Sequence, residues 1–464
     1  MNHLRADLLS IRPFRVLLGS PLFPVALQVL TLAAAVYLGW LGWGAGLDKT
    51  PDELMTFRKT HLTTLAVWGL WWPLMIAAAL FLGRAWCTVC PMELLNRLGD
   101  AVARVLHVPR AKLPKMLRAG WAIFVAYLIL QLLVAGLFIH RTPHYTAFML
   151  LTLGLLALAT GLVFRAPRSF CKGLCPAAAL LSVYGRFTPL QLDKCDPAIC
   201  SSCKTKDCVH PANRERFDKR SCPSMIRPFD RAPSDGCVLC LQCAKVCPKE
   251  NIGFGWADPV SSSRTDKGLK PFEAAFVLIA AGFVAHDTIG ESDPLERLFH
   301  AAPDTLAAAF PAIGFGWWEA LWFLGLFPLA LWGIILAASY MIGKKAAFRD
   351  TLFTVALAAA PVVAVAHLGK ALAKLSSWGG FLPLALSDPS GELTLRGFAD
   401  HSLSKPASML PFSVIGTGVL ALLLAIAWRR GKARKESGTA AVWNLGLAGV
   451  AVVFGGVLAA WIVL

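Results

Sequence analysis

Charge is scarce in this 464-residue chain: Asp, Glu, Lys and Arg make up only 16% of it, and 28 acidic residues face 45 Lys and Arg. With 56% hydrophobic residues, so little charge excludes a disordered chain and argues against a string of soluble domains. No Walker-type loop, dinucleotide fingerprint or nucleophile motif stands in a suitable context, so nucleotide-dependent chemistry has no support. No Cys-x-x-Cys-His run occurs, which excludes covalently attached c-type haem. The first apolar stretch is too long for a cleaved signal peptide and lacks a small-residue cleavage site. Extended polar sequence is confined to 166–270.

What remains is apolar and regularly spaced. Stretches long enough to span a bilayer, about 20 residues each, lie near 20–44, 61–83, 119–139, 145–164, 271–288, 316–342, 350–368, 410–428 and 441–463. The expected fold is a polytopic α-helical membrane protein of about nine spans with an inserted small two-cluster ferredoxin-like domain. The expected division is 1–165 (four spans in two repeats), 166–270 (the insert) and 271–464 (about five spans).

The net charge of +17 follows membrane topology rather than a nucleic-acid surface, and no nucleic-acid partner is expected. Arg84, Arg97, Arg104, Arg110, Lys112, Lys115 and Arg118 oppose only Glu93 and Asp100, a net +5. Asp287, Glu291, Asp293, Glu296 and Asp304 oppose Arg297, a net −4. The positive-inside rule then puts the first loop in the cytoplasm and the second outside. Alternation places the N-terminus, the insert, Lys344-Lys345 and Arg429-Arg430 inside a bacterial cytoplasmic (inner) membrane, and the C-terminus in the periplasm. The loop 369–410, with Lys370, Lys374, Arg396 and Lys405, fits less well, but long loops obey the rule weakly.

The insert holds most of the thirteen cysteines. Cys237-x2-Cys240-x2-Cys243-x3-Cys247-Pro248 has the bacterial ferredoxin spacing for a [4Fe–4S] cluster, and Cys200-x2-Cys203-x4-Cys208 with Cys222-Pro223 is an irregular copy. In two-cluster ferredoxins the last cysteine of each run serves the other cluster. That assigns Cys200, Cys203, Cys208 and Cys247 to one cluster and Cys237, Cys240, Cys243 and Cys222 to the other. Zinc is the competing reading, but a zinc ribbon needs two separate pairs per metal. Disulfides do not suit a reducing compartment. In so small an insert the clusters would stand in for a hydrophobic core.

Two further pairs end spans two and four as a repeat: Cys87-Thr88-Val89-Cys90-Pro91 and Cys171-Lys172-Gly173-Leu174-Cys175-Pro176. Proline favours the first helical position, so Cys90 and Cys175 are expected at helix N-termini, where a thiolate is stabilised. Convergence of Cys87, Cys90, Cys171 and Cys175 would make a site for a third iron–sulfur cluster. A redox dithiol, a mononuclear metal, or buried thiols acting as small hydrophobes are the alternatives. Cys195 has no assigned role.

His61, His140, His286 and His367 fall at the outer ends of spans in this topology. They read either as hydrated interface residues or as ligands to haem b or a quinone headgroup. Trp68, Trp71, Trp72, Trp317, Trp318 and Trp322 lie near span ends or inside apolar runs, and interface anchoring accounts for most of them.

The paired spans, the Cys-Pro motifs and the two-cluster insert together resemble the membrane-bound polyferredoxin family, which includes the quinol dehydrogenase subunit of periplasmic nitrate reductase and the membrane regulator of nitrous-oxide reductase. The resemblance covers about residues 60–255. Cys171-x3-Cys175-Pro176 matches the family's second motif, whereas Cys87-x2-Cys90-Pro91 is one residue shorter than the first. The tail after 271 and the Cys203–Pro211 loop are similar to single-chain membrane iron–sulfur proteins of purple photosynthetic bacteria. The resemblance implies electron transport between the quinone pool and a cytoplasmic partner. That partner would be a ferredoxin, a flavodoxin, or a respiratory or photosynthetic complex, and the activity that of a quinone-linked oxidoreductase. The 18 Lys and Arg against 10 Asp and Glu in 165–270 suit an acidic carrier. Rival readings are a redox-sensing regulator, a maturation factor for a metalloenzyme, and a membrane metal reductase.

Overall fold

In the computed structural model, residues 6–214, 216–228, 236–257, 268–342, 347–433 and 440–463 are described. Lys344-Lys345 and the Ser-rich stretch 260–264 lie outside them. Among the described residues eight helices are long and apolar enough to cross a membrane: α1 (Val25–Gly42), α2 (Leu62–Phe81), α5 (Pro143–Val163), α6 (Pro271–Ile289), α8 (Phe315–Ile342), α9 (Phe348–Gly379), α10 (Phe412–Ala433) and α11 (Ala440–Val463). The stretch expected near 119–139 is α4 (Trp121–Gly136), uncharged and apolar but for Gln131 and the Tyr127 hydroxyl, and shorter than the rest. α9 runs on to Gly379, well past the expected end at 368. Two helices without a full apolar run complete the set used below, α3 (Pro91–Val105) and α7 (Asp293–Ala309).

The chain forms two compact units, and their limits cut across the long helices instead of falling between them. The first comprises 1–36, 78–123 and 151–267. Its polar part is a three-stranded antiparallel sheet of β1 (Ala6–Asp7), β3 (Ile252–Trp256) and β2 (Leu190–Lys194), in that order. Leu192 pairs with Phe254, and both pack with Leu190, Ile252, Leu239, Leu241 and the thiol of Cys243. A small apolar core thus forms directly around a cysteine loop. Lys245 Nζ donates to the Ser20 and Phe23 carbonyls, each at 2.7 Å, and ties that loop to the N-terminal segment.

Elsewhere in this unit α3 crosses the end of α5 backbone to backbone. A Cβ on Gly161 would lie 2.1 Å from the Asn96 carbonyl, and one on Gly99 would lie 2.3 Å from the Leu158 carbonyl. Only glycine permits such an approach. The buried Asn96 side chain fastens the crossing by donating to the Ala157 carbonyl at 2.9 Å and to Thr160 and Ser169 at 3.1 Å. Asp100, also on α3, takes Arg104 at 2.9 Å, Arg214 at 3.0 Å, and Arg110.

The second unit comprises 37–77, 124–150 and 268–464. Here α9 is the most enclosed of the spans. Gly282 of α6 lets the Phe323 carbonyl of α8 approach to within 2.0 Å of where a Cβ would sit. Tyr127 is fully buried, its ring edge-on to Phe276 at 5.1 Å. Trp68 is buried rather than anchored at an interface, and its Nε1 donates to Thr146 at 3.0 Å. Two segments widen into π-helical turns, Leu65–Trp71 in α2 and Trp322–Leu326 in α8. Such turns re-aim side chains and recur at functional sites.

Candidate metal centres and a histidine-lined cavity

Cys200, Cys203, Cys208 and Cys247 line one cavity, although Cys247 is remote from the others in sequence. Burial pushes the Cys208 thiol up to about 11, and Cys247, Cys203 and Cys200 add to the effect in that order. Cys203 moves the other way, lowered by the Lys206 N–H and the Thr205 hydroxyl. Asn251 Nδ2 donates to the Cys200 sulfur at 3.3 Å.

Cys222, Cys237, Cys240 and Cys243 form a second group. Burial raises Cys243 well above the ordinary thiol range, with Cys222, Cys237 and Cys240 next among the causes. Cys240 is pushed up to about 12, again by burial and then by Cys222, against a lowering hydrogen bond from the Gln242 N–H. Leu239 and Leu241 both adopt φ of +58°, a left-handed conformation that bulky side chains rarely take. Both side chains are buried, only 7% and 2% exposed, and their packing holds the loop in this tight winding.

The four cysteines of the repeat also converge. Cys90 is raised by burial and then by Cys171, Cys175 and Cys87; Cys175 is pushed up to about 12 by burial, Cys171 and Cys87. Cys90 caps α3, with Pro91 at the first helical position. Cys175 lies one residue before a cap formed by Pro176. In both repeats the backbone N–H two residues further on, Met92 or Ala177, bonds to the sulfur. In each group burial first, and neighbouring sulfurs after it, thus raise at least one thiol, Cys208 in the first, Cys240 and Cys243 in the second, and Cys90 and Cys175 in the third, a condition a bound metal relieves.

Beside the third group, some guanidinium nitrogens lack an acceptor among the described residues. Arg168 Nε and Nη2 and Arg84 Nε are buried with no hydrogen-bond acceptor among the described residues. Burial opposes the charge on Arg168, yet Cys171, Cys87 and Glu93 outweigh it and raise its proton affinity. Arg168 Nη1 donates to Ser224 at 2.7 Å. Cys195 alone among the cysteines is exposed.

The second unit holds a cavity of about 240 Å³. His140, His286 and His367 line it, together with His300, which the sequence reading did not single out. The π-helical turns contribute Trp68 and Phe323 to its wall. His61 is not part of it. That side chain is buried, accepts the Thr63 N–H at 3.2 Å and caps the start of α2. Sequence offers one signal for His300, its place four residues after Glu296 on α7. The cavity is smaller than the roughly 300–1,000 Å³ of pockets for drug-sized ligands, so it suits a single ring rather than a porphyrin macrocycle.

No known protein-family model matches the chain, and no solved structure matches it. An uncharacterized protein of Methanocaldococcus jannaschii is 31% identical over 183 residues, which span 39% of this chain and 67% of that one. A second uncharacterized protein of the same organism is 25% identical over 197 residues, 39% of this chain and 76% of its own length.

Proposed function

The chain belongs to the family of the first of these archaeal proteins, and we propose that it is a membrane electron-transfer protein linking the quinone pool to a cytoplasmic redox partner. The observation that carries this reading is the sorting of twelve of the thirteen cysteines into three groups of four. Four thiols suit a [4Fe–4S] cluster or zinc. The orphaned N–H groups of Arg168 and Arg84 favour the cluster, whose inorganic sulfides accept hydrogen bonds. Bound in these groups, clusters would supply one-electron carriers whose potentials follow local charge, hydrogen bonding and exposure.

The residues around the sulfurs have separate tasks. The N–H groups of Met92, Ala177 and Gln242 stabilise negative charge on the thiolates. Packing by Leu239 and Leu241 excludes water from Cys243. The basic excess of 165–270 suits docking of an acidic ferredoxin or flavodoxin from the cytoplasm.

A quinone headgroup fits the histidine-lined cavity best. His140 Nε2 accepts the Arg141 Nε–H at 3.4 Å, which assigns the ring proton to Nδ1; that atom is buried and makes no well-formed hydrogen bond among the described residues, although the Val134 carbonyl interacts with the ring. His140 is therefore set to donate to a carbonyl oxygen.

The test is metal and sulfide analysis of anaerobically purified full-length protein, followed by addition of a quinol. About twelve irons per chain and a quinol-dependent loss of visible absorbance support the reading. Zinc in place of iron, or clusters inert to quinol and to quinone, would refute it.

A further inference from the structure

We propose that His286, His300 and Glu319 bind a divalent transition-metal ion at one end of the cavity. This goes beyond the electron-transfer reading and does not depend on the thiol groups. One nitrogen from each imidazole and one carboxylate oxygen lie within 4.8 Å of one another. His300 Nε2 is 3.3 Å and His286 Nε2 is 3.9 Å from the same Glu319 Oε1. Two atoms bound at 2.0–2.1 Å to one tetrahedral ion stand roughly 3.3 Å apart, so the first distance matches and the second closes by a few tenths of an ångström.

The surroundings hold the ligands and favour a cation. His286 stacks on Phe323 at 4.5 Å with an interplanar angle of 9°, which fixes the ring plane. The other nitrogen of His300, Nδ1, lies 4.0 Å from Glu296 Oε1, too long for a hydrogen bond but near enough for that carboxylate to favour a cation at the triad. His286 Nδ1 is buried without a hydrogen-bond partner among the described residues, which leaves that nitrogen to a water or ligand in the cavity. Asp287, Glu296 and Glu319 line the cavity along with Arg141, Lys370 and Lys374, so an added dication does not enter an already positive space. Two imidazoles and a carboxylate suit zinc, cobalt or ferrous iron, and three protein ligands beside an open cavity leave coordination positions for water or an oxygen ligand.

The experiment is Co²⁺ titration of the full-length protein in detergent with its iron content measured in parallel. Wild type should take up one equivalent with visible bands free of sulfur-to-cobalt charge transfer, and Zn²⁺ should displace it. His300→Ala and Glu319→Gln should each weaken binding by at least about 100-fold, the upper end of what loss of an outer partner costs. His367→Ala, in the same cavity but outside the triad, should bind as wild type does. Unchanged iron content and thermal unfolding certify that the variants fold. As a readout needing no variant, Zn²⁺ should protect His300 of the wild type from diethyl pyrocarbonate. No stoichiometric uptake by wild type, uptake retained in both triad variants, or absence of Zn²⁺ protection would overturn the proposal.

Discussion

The backbone N–H of Cys222 donates to the carbonyl of Cys208 at 2.8 Å. The two residues belong to different thiol groups, so a single peptide hydrogen bond joins both. The irregular spacing between Cys208 and Cys222 is thereby resolved: the intervening chain leaves one group and returns at the edge of the other. Replacing Cys208 or Cys222 with Ser should each remove about four irons per chain. Cys195→Ser should remove none, since Cys195 is exposed and outside all three groups. Iron analysis with EPR of the reduced proteins checks all three variants.

Asp100→Asn should be among the most damaging single changes in the first unit. The carboxylate is buried and takes three guanidinium groups, from Arg104, Arg110 and Arg214. Removing its charge takes a shared counter-ion from three cations that are themselves partly exposed and should cost about 1–3 kcal/mol, seen as a lowered unfolding temperature in detergent.

Gly161→Leu should fail to accumulate as folded protein, and Gly161→Ala should lower stability by about 1–3 kcal/mol or more. The reason is steric, because the added carbon would stand 2.1 Å from the Asn96 carbonyl. Size-exclusion profiles after stepwise heating would separate the two outcomes. Gly456→Ala is the control, since a Cβ there meets nothing within 4 Å.

His367→Leu should keep the iron content of wild type while slowing quinol-driven reduction by about tenfold, the loss of one hydrogen bond. His367 is 2% exposed, lies edge-on to Phe283 at 5.5 Å, and lines the cavity, so a residue of similar bulk preserves packing. Stopped-flow absorbance after mixing with a quinol measures the rate.

The helices were legible because apolar runs of membrane length carry their own signature, and eight of the nine expected spans agree with observed helices to within five residues at both ends. α9 overran its expected end because Lys370 and Lys374 line the cavity, and a sequence window counts such lysines as loop. The thiol groups were legible through spacing alone. His300 was not, since a lone histidine in an acidic segment carries no periodicity; only the packing of α7 against α8 gives it Glu319 as a neighbour. His61 misled for the opposite reason, because a position at the end of a span is shared by capping residues and by ligands. The compact units differ from the divisions expected at 165/166 and 270/271, because long helices distribute their contacts along their length, which a linear reading of polarity does not register.

The paired glycines at the crossing of α3 and α5 have a mechanical consequence. With the Asn96 and Leu158 carbonyls seated against Gly161 and Gly99, neither helix can slide or roll past the other without collision. Cys90 begins one of these helices, and Cys171 and Cys175 follow the other. The distance between the two halves of that thiol group is therefore clamped by backbone contact. A centre held there would keep nearly the same ligand geometry before and after a change in its charge, so little structural relaxation would accompany each electron it gained or lost.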